Sequence, residues 1–397
     1  MRRLQGALIG FGFIAEKGHL PAYQAASLDL IAIADTNAAR RQLARVAFPN
    51  ARIYDGHEAL LAAEARNLDF IDIATPPYMH AQIAHAALDA GLHVLCEKPM
   101  AVTADEARSM IEHALRAKRV LFPSHNYKHA PVIRAVAKIL DEGTIGKVHH
   151  VTLDTFRNTH ARGVKEWKES WRREKKFSGG GIAMDHGSHT FYLAFDWLQS
   201  YPTSITAKMS TAAESNYDTE DTFSAHIQFP TGTAVAQLTW RAGIRKVIYT
   251  IHGEKGAIRV EDDDVEVSVM DDPNGKPVTW KVTEEKIASD WMDASHTIWF
   301  RSLFERFQTA IDTHDYAGKD AQDALRCVEL INAAYASAAD QSRERVLSGS
   351  DAAPPLAPPS VRNVRSINVK PANGRVNGSL HTNGNSVNEH KKASLGS

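Results

Sequence analysis

The sequence has little cysteine, no long apolar run and no excess of charge, and each shortage excludes a class of protein. Only two cysteines, Cys96 and Cys327, occur in 397 residues. They cannot build a disulfide framework or a zinc site made mainly of thiolates, and they indicate a reducing compartment, the cytoplasm. No run of about 18 or more apolar residues is present, so we expect no membrane-spanning helix. Lys plus Arg number 46 and Asp plus Glu 47, so we expect no nucleic-acid partner.

The composition is that of a globular protein followed by a different kind of segment. Hydrophobic residues make up 43% of the chain and charged residues 23%, which is enough apolar material for sizeable cores. The length predicts two domains. From residue 351 to 397 there is no Phe, Trp or Tyr, and Pro, Asn, Ser and Gly are frequent. Such a segment cannot bury enough apolar area to offset its ordering entropy, so we predict a disordered tail.

The first 125 residues alternate short apolar runs with amphipathic stretches, which predicts a parallel sheet covered by helices on both faces. One predicted helix, 104–117, opens with Thr103 and Glu106 in capping-box register. The predicted strands are 4–9, 30–34, 70–74, 93–96 and 120–123.

The pattern changes near Gly146. Alternating strands with hairpin turns follow, such as 223–229 and 233–240, and they predict a mainly antiparallel open sheet. We expect helices over 182–198, 296–312 and 321–338. The second half is therefore predicted to be an α+β domain, and the whole chain an α/β protein with a doubly wound first domain.

A glycine-rich loop directly follows the first strand. Its residues Gly10, Gly12 and Ala15 form the pattern G-x-G-x-x-A, in which glycines let the backbone approach a pyrophosphate at a helix N-terminus. Asp35 ends the second strand, where a carboxylate can bind both ribose hydroxyls and would repel a 2'-phosphate. The loop therefore predicts NAD, and NADP stays open because two arginines, Arg40 and Arg41, follow.

Two further loops follow predicted strands at the carboxyl edge of the first sheet, where ligands of doubly wound folds bind. The first contains Thr75, Pro76 and Pro77 with His80 after them. The second contains Glu97 and Lys98, and a desolvated lysine ammonium there can donate to a reacting hydroxyl or share its proton.

Six motifs occur in order and at spacings that resemble the Gfo/Idh/MocA oxidoreductases over residues 4–347. Each alone is weak, but Glu-Lys-Pro combined with GGGxxxDxGxH is specific for this family. The motifs are Gly10-Phe11-Gly12-Phe13-Ile14-Ala15, Ala74-Thr75-Pro76-Pro77 with His80, Ala90-Gly91-Leu92-His93-Val94, Glu97-Lys98-Pro99, Gly143-Thr144-Ile145-Gly146, and Gly179-Gly180-Gly181 followed by Asp185, Gly187 and His189.

The resemblance implies a Rossmann domain over 1–127 and a substrate-binding and oligomerisation domain over 128–348. It further implies oxidation or reduction of a secondary alcohol or ketone on a sugar or cyclitol, homodimers or homotetramers, and Lys98, Asp185 and His189 as the catalytic set. No metal is expected. Cofactor contacts are expected at Gly10, Phe11, Gly12, Phe13, Ile14, Ala15, Asp35, Thr75, Pro76, Pro77, His80, Glu97 and Lys98.

The spacing of Asp185 and His189 independently supports a joint role, because residues four apart on a helix project from one face. We expect Asp185 to orient His189 and to bind substrate hydroxyls. His189 would then act as the general base while hydride leaves to nicotinamide, with Lys98 stabilising the charge that develops on the oxygen.

The chain departs from the family pattern in its substrate region. The family often has D-x-G-x-H-x-x-D, and here the last position is Tyr192. The segment 162–176 is rich in charge, which predicts an exposed helix or a flap and leaves open a lid for anionic substrates. Residues expected to contact substrate are Tyr127, Arg157, Trp171, Arg172, Asp185 and His189, with His160 and His296 also shaping the pocket.

These observations favour an NAD(P)-dependent dehydrogenase or reductase of a polyhydroxylated substrate. Two alternatives stay open. One is a redox-neutral enzyme that uses bound NAD transiently to eliminate a glycosidic or other leaving group. The other is a non-catalytic NAD(P)-sensing regulator, which would not need the acid and base groups.

Overall fold

The computed structural model describes residues 3–25, 28–272, 274, 279–291, 293 and 295–347. All of them fall within one compact unit, Met1–Leu356, so the division proposed near residue 127 stays a prediction. The predicted tail, 351–397, lies outside the described residues. Within the described part of the chain, no helix is both long and apolar enough to cross a membrane.

The first half forms the predicted parallel sheet with helices on both faces. Its six strands lie in the order β3-β2-β1-β4-β5-β6, which is the doubly wound order of dinucleotide-binding domains. The strands are β1 Leu4–Ile9, β2 Leu28–Ala34, β3 Arg52–Tyr54, β4 Phe70–Ile73, β5 His93–Cys96 and β6 Leu121–Pro123. The helices are α1 Leu20–Ala25, preceded by a π-helical turn Ala15–His19, and then α2 Ala38–Ala47, α3 His57–Glu64, α4 His80–Asp89 and α5 Ala104–Ala117.

Helix α5 forms where the capping box predicts it. The Thr103 side chain accepts from the backbone N–H of Glu106, and the Glu106 carboxylate accepts in return from the backbone N–H of Thr103. These bonds satisfy N–H groups that the first turn of a helix leaves without a partner. By contrast, the short strand β3 was not predicted, because three residues carry no readable alternation.

The second half forms a nine-stranded sheet in the order β14-β13-β12-β11-β7-β10-β9-β8-β15. Only the pair β7 and β10 is parallel, so the predicted mainly antiparallel sheet is confirmed. Its strands are β7 Val148–Phe156, β8 Ser204–Ser210, β9 Thr222–Phe229, β10 Gly232–Thr239, β11 Lys246–Gly253, β12 Gly256–Glu261, β13 Asp264–Asp272, β14 Thr279–Lys286 and β15 Arg345–Val346. The helices of this half are α6 Pro131–Asp141, α7 Lys175–Ser178, α8 Ile182–Leu198, α9 Thr297–Asp312 and α10 Lys319–Ala339.

Helix α8 packs on the second sheet, and its start is fixed by a carboxylate from elsewhere in the chain. Gly181 precedes the helix, and no side chain of its own caps it. Instead, the buried Glu220 carboxylate accepts from the N–H groups of Gly181 and Ala183, each at 2.9 Å. A Cβ at Gly181 would lie 1.8 Å from the Glu220 carbonyl oxygen, so only glycine fits there. This contact places the residues that follow on α8.

Helix α9 packs on the first sheet, where Phe300, Phe304 and Phe307 are buried in a cluster with Phe70 and Phe122. Helix α10 contributes to the cores of both halves. The segment 162–176 is mostly loop, with one turn of 3-10 helix at Trp171–Arg173 and the start of α7. The helix offered as one possibility for it is therefore wrong over most of its length.

Candidate active site

A cavity of about 670 Å³ lies between the carboxyl edge of the first sheet, the start of α8 and one end of the second sheet. It brings together most of the residues that the sequence predicts for cofactor and substrate. Those that line it are Gly10, Gly12, Phe13, Ile14, Asp35, Thr75, Pro76, Pro77, Glu97, Lys98, Tyr127, Arg157, Trp171, Arg172, Asp185 and His189.

The glycine loop has the space that a pyrophosphate requires. Gly10 has φ of +93°, which glycine adopts without strain. A Cβ at Gly12 would meet nothing within 4 Å, so this backbone borders open cavity. Asp35 accepts from the backbone N–H groups of Phe11 at 2.8 Å and Asn37 at 2.7 Å. Each carboxylate oxygen can accept a further bond, so Asp35 fits a ribose diol.

Three of the residues expected at the cofactor lie in the interior instead of on the cavity wall. Phe11, Ala15 and His80 are all fully buried. The ring nitrogens of His80 lie 2.9 Å and 2.8 Å from the carbonyl oxygens of Pro99 and Thr75. His80 therefore lies between two cavity loops, with one ring nitrogen beside a backbone carbonyl of each.

The two arginines that left NADP open are engaged with the protein. Arg40 is buried, donating to the Phe11 carbonyl and to Glu16, both at 2.6 Å. Arg41 donates to the carbonyl oxygens of Asp35 and Thr36, both at 2.9 Å. Asp35 and Arg40 both line the cavity, but both arginines already bond to protein atoms, so the Asp35 carboxylate favours NAD over NADP.

Lys98, Asp185 and Arg172 form one ionic cluster on the cavity wall. The Lys98 ammonium donates to the Asp185 carbonyl at 2.8 Å and to its Oδ1 at 3.1 Å, and Arg172 Nε donates to the same Oδ1 at 3.2 Å. Burial favours the neutral acid, but the charges of Lys98 and Arg172 hold the pKa of Asp185 well below its usual range. Lysine has three N–H donors, so one remains for a substrate oxygen.

His189 is oriented by Tyr192, not by Asp185 as expected. Its Nδ1 lies 2.8 Å from Tyr192 Oη, which also accepts from the backbone N–H of Tyr127 at 3.2 Å. The Tyr127 ring stacks on His189 with centroids 3.8 Å apart. Lys98 and Arg172 occupy Asp185, which explains the change of partner. Because Nδ1 faces Tyr192, Nε2 is the nitrogen left for the cavity.

The cavity histidines are held neutral. Burial, and then the charge of Lys98, bring the pKa of His189 well below its usual range. Burial also lowers the pKa of His186 and His296 to about 3 and that of His160 to about 4, and nearby arginines add to each effect. Among the described residues, no group of three His, Cys, Asp or Glu side chains is placed to hold a metal ion.

Two predicted substrate residues, Trp171 and Arg157, line the cavity and also contact other parts of the protein. Trp171 lines the cavity, but the Arg172 guanidinium lies 4.2 Å from its ring centroid, so one face is already covered. Arg157 directly follows β7 and is mostly buried. Arg245 also lines the cavity. It was missed because its position depends on strand pairing rather than on a motif.

Comparison with known proteins agrees with this architecture. Residues 4–125 match the oxidoreductase family with the NAD-binding Rossmann fold, and residues 133–259 match the GFO/IDH/MocA C-terminal domain. The chain is 37% identical to D-apiose dehydrogenase of Paraburkholderia graminis over 147 residues, which are 37% of this chain and 38% of that protein. It is 30% identical to levoglucosan dehydrogenase of Pseudarthrobacter phenanthrenivorans over 228 residues, which are 53% of this chain and 55% of that protein.

The match to these two curated relatives thus spans from under four tenths to just over half of their length. A solved structure of an inositol dehydrogenase homologue from Azotobacter vinelandii, complexed with NAD+, superposes with a TM-score of 0.73 at 19% identity. The superposition covers 87% of this chain and 98% of that one, and it shows the shared fold. The chain therefore belongs to the Gfo/Idh/MocA family and has its NAD-binding Rossmann fold and its C-terminal domain.

Proposed function

We propose that the protein is an NAD-dependent oxidoreductase that moves a hydride between nicotinamide and a secondary alcohol or ketone carbon of a sugar, cyclitol or sugar derivative. The observation that carries this proposal is the meeting of Lys98, Asp185 and His189 on the wall of the cavity that also contains the glycine loop. The relatives named as D-apiose and levoglucosan dehydrogenases support a polyhydroxylated substrate.

In this proposal the residues divide the work on the substrate oxygen. Bound NAD supplies the hydride acceptor or donor. The remaining N–H of Lys98 donates to the substrate oxygen and stabilises negative charge on it. Asp185 directs the lysine ammonium, because it accepts two of its hydrogen bonds.

His189 exchanges the proton of the substrate hydroxyl at Nε2. Its low pKa keeps the ring neutral at pH 7, so in alcohol oxidation it is able to accept this proton. Tyr192 and the stacked Tyr127 hold the ring in place. General acid and base catalysis of this kind contributes about 10²- to 10⁴-fold to the rate.

The first experiment follows reduced-cofactor absorbance with NAD or NADP and a panel of cyclitols, aldoses, sugar acids and nucleotide sugars. NAD-dependent turnover with at least one of them is expected. Binding of NAD without net redox turnover on any of them would overturn the proposal, and product analysis would then separate a redox-neutral elimination from a sensor. Absence of NAD binding would contradict the cofactor assignment itself.

We also propose assembly into homodimers or homotetramers through the second sheet, and a cytoplasmic location. Multi-angle light scattering of the purified full chain tests the first and cell fractionation the second. Both described cysteines are buried and free, in keeping with a reducing compartment.

A further inference from the structure

Two arginines flank the same end of the second sheet. The antiparallel ladder of β7 and β11 ends with the pair Phe156 and Lys246, and Arg157 and Arg245 are the chain neighbours of that pair just outside the two strands. Arg157 Nη1 donates to the carbonyl oxygens of Phe156 at 2.8 Å and Lys246 at 3.2 Å, which anchors its guanidinium. Both arginines line the cavity.

The charges of the two arginines act on each other. Burial, and then the charge of Arg157, lower the pKa of Arg245. Tyr127, Asp262 and Asp293 act in the opposite direction on the pKa of Arg245. Arginine carries five N–H donors, and both side chains reach the cavity wall, so an anion in the cavity can bond to both guanidiniums.

The surroundings carry the same sign. Among the described residues lining this side of the cavity, the further cations are Lys98, Arg162 and Arg172, and the carboxylates are Asp185 and Glu97. Asp185 is already paired with Lys98 at 3.1 Å and Arg172 at 3.2 Å, and Glu97 with His19 at 3.0 Å. The histidines add no charge, because their pKa values are lowered. The substrate side is thus strongly positive at pH 7.

His296 lies beside the arginine pair and offers a polar atom. Its Nδ1 is buried and has no hydrogen-bond partner among the described residues, while its ring stacks on Trp299 with centroids 3.7 Å apart. The Tyr127 ring lies 6.0 Å from the His296 ring and 3.8 Å from the His189 ring. The Tyr127 ring therefore lies between His296 and the proposed proton-exchanging group, His189.

We propose that Arg157 and Arg245, with His296 beside them, form a subsite for an anionic oxygen group of the substrate, so that the preferred substrate is an acid of a sugar or cyclitol. This inference rests on the proposed function and specifies its substrate class. The phosphates of NAD belong to the glycine loop on the first sheet, whereas both arginines flank strands of the second. A carboxylate and a phosphate share this chemistry, and matched substrates distinguish them.

The test compares neutral sugars and cyclitols with their carboxylate and phosphate derivatives in the wild type and in Arg245→Gln and Arg157→Gln. The wild type is expected to prefer an anionic member by kcat/KM. Each variant is expected to lose about 10- to 100-fold in kcat/KM for that member, mainly through KM, because a hydrogen bond to a charged group is removed. The neutral counterpart should change less than twofold to threefold, by the same reasoning.

Arg259→Gln is the matched control, because Arg259 lies on β12, half exposed and paired with Glu261, and lies outside the cavity wall. It should change neither substrate. Arg245→Lys retains the charge and should recover part of the affinity, and it replaces Arg245→Gln if that variant unfolds. Equal losses for anionic and neutral substrates, or a wild-type preference for neutral ones, would overturn the subsite.

Failure of the proposed function is separable from failure of the subsite. Calorimetric titration of the NAD-loaded protein with the same acids measures binding without turnover. Arginine-dependent binding without turnover would contradict the oxidoreductase but keep the subsite. Turnover of neutral sugars with no Arg245-dependent binding of any acid would keep the oxidoreductase and overturn the subsite.

Discussion

Two ionic clusters meet at the consecutive residues Glu97 and Lys98. One has a cation between two carboxylates, and the other has a carboxylate between two cations. Towards the interior, the His19 ring lies between two carboxylates, 2.7 Å from Asp72 and 3.0 Å from Glu97. Towards the cavity, the Asp185 carboxylate lies between two cations, Lys98 and one arginine. We call these the interior cluster and the cavity cluster.

The interior cluster is closed. Each nitrogen of His19 faces a carboxylate, which requires the charged, doubly protonated ring. Burial opposes that charge, but Asp72 and Glu97 outweigh it and raise the pKa of His19 to about 10. Tyr23 and Ser124 donate to the same carboxylates, both at 2.8 Å. No proton of the histidine remains for a ligand.

The cavity cluster is open, because its lysine retains one N–H donor and its side chain borders the cavity. Glu97 Oε2 accepts from the backbone N–H of Lys98 at 3.1 Å, which links the clusters. The comparison indicates that the interior cluster holds the loop in place while the cavity cluster acts on substrate. Substitutions in the interior cluster should therefore mainly lower the free energy of unfolding, and substitutions in the cavity cluster should mainly lower kcat/KM.

The largest effect is expected on activity, from Lys98→Met. This change removes the donor to the substrate oxygen, so kcat/KM should fall by about 10³-fold, within the range for a positioned acid or oxyanion donor. The free energy of unfolding should change little, because Asp185 keeps its bond to Arg172. Steady-state kinetics and urea titration measure the two. Lys138→Met, at an exposed position of α6, is the control, and turnover of Lys98→Met equal to that of the control would contradict the assignment.

The second effect is expected on stability, from His19→Gln. Removing the ring charge leaves two buried carboxylates without their cation, which typically lowers the free energy of unfolding by about 3–5 kcal/mol. In the folded fraction, kcat/KM should stay within about tenfold of wild type, since the residue has no donor for substrate. Urea titration and kinetics at low temperature measure this. If His19→Gln were as stable as wild type but catalytically inactive, the interior cluster would act in catalysis and not in stability, contrary to this prediction.

A smaller effect is expected on the pH dependence of stability. The folded pKa of His19 lies near 10 and above the unfolded value, so its contribution is complete below about pH 6.5 and is lost as pH rises towards 10. The difference in unfolding free energy between wild type and His19→Gln should narrow by up to about 1.4 kcal/mol per pH unit in this window. Urea titrations at several pH values measure the gap. A constant gap would show that His19 is uncharged in the folded protein.

The sequence was informative where the fold itself places residues. Parallel strands end at one edge of the sheet, so Asp35, Thr75 and Lys98 could be brought to one site from their positions after β2, β4 and β5. Helix α8 has the predicted bounds, Ile182–Leu198, because a long apolar pattern after three glycines has few alternatives. These features depend on local pattern and on chain order.

The sequence was uninformative where the site depends on competition between partners. On a helix, His189 has Asp185 one turn before it and Tyr192 one turn after it, and spacing alone makes both of them neighbours. His189 contacts Tyr192 because the Asp185 carboxylate is bonded to Lys98, which lies 87 positions before it in the chain. The placement of Arg157 and Arg245 at one end of the same ladder likewise depends on the register of two distant strands, which pairs Phe156 with Lys246. Such contacts follow from tertiary structure and not from a motif.

The smallest effect is expected from Tyr192→Phe, which tests the partner of His189. Proton uptake at Nε2 requires the His189 tautomer with its proton on Nδ1, and this N–H donates to Tyr192 Oη, which also accepts from the Tyr127 N–H. Without this acceptor the protonated ring is less stable and the pKa of His189 should fall further, so the acid limb of the pH profile for alcohol oxidation should move to lower pH, with about a tenfold loss in kcat. Tyr201→Phe removes another buried hydroxyl, one bonded to Asp323, and should leave the profile in place. An equal loss of kcat at every pH would show that Tyr192 only packs against His189. Asp185 would then again be the residue expected to orient the ring.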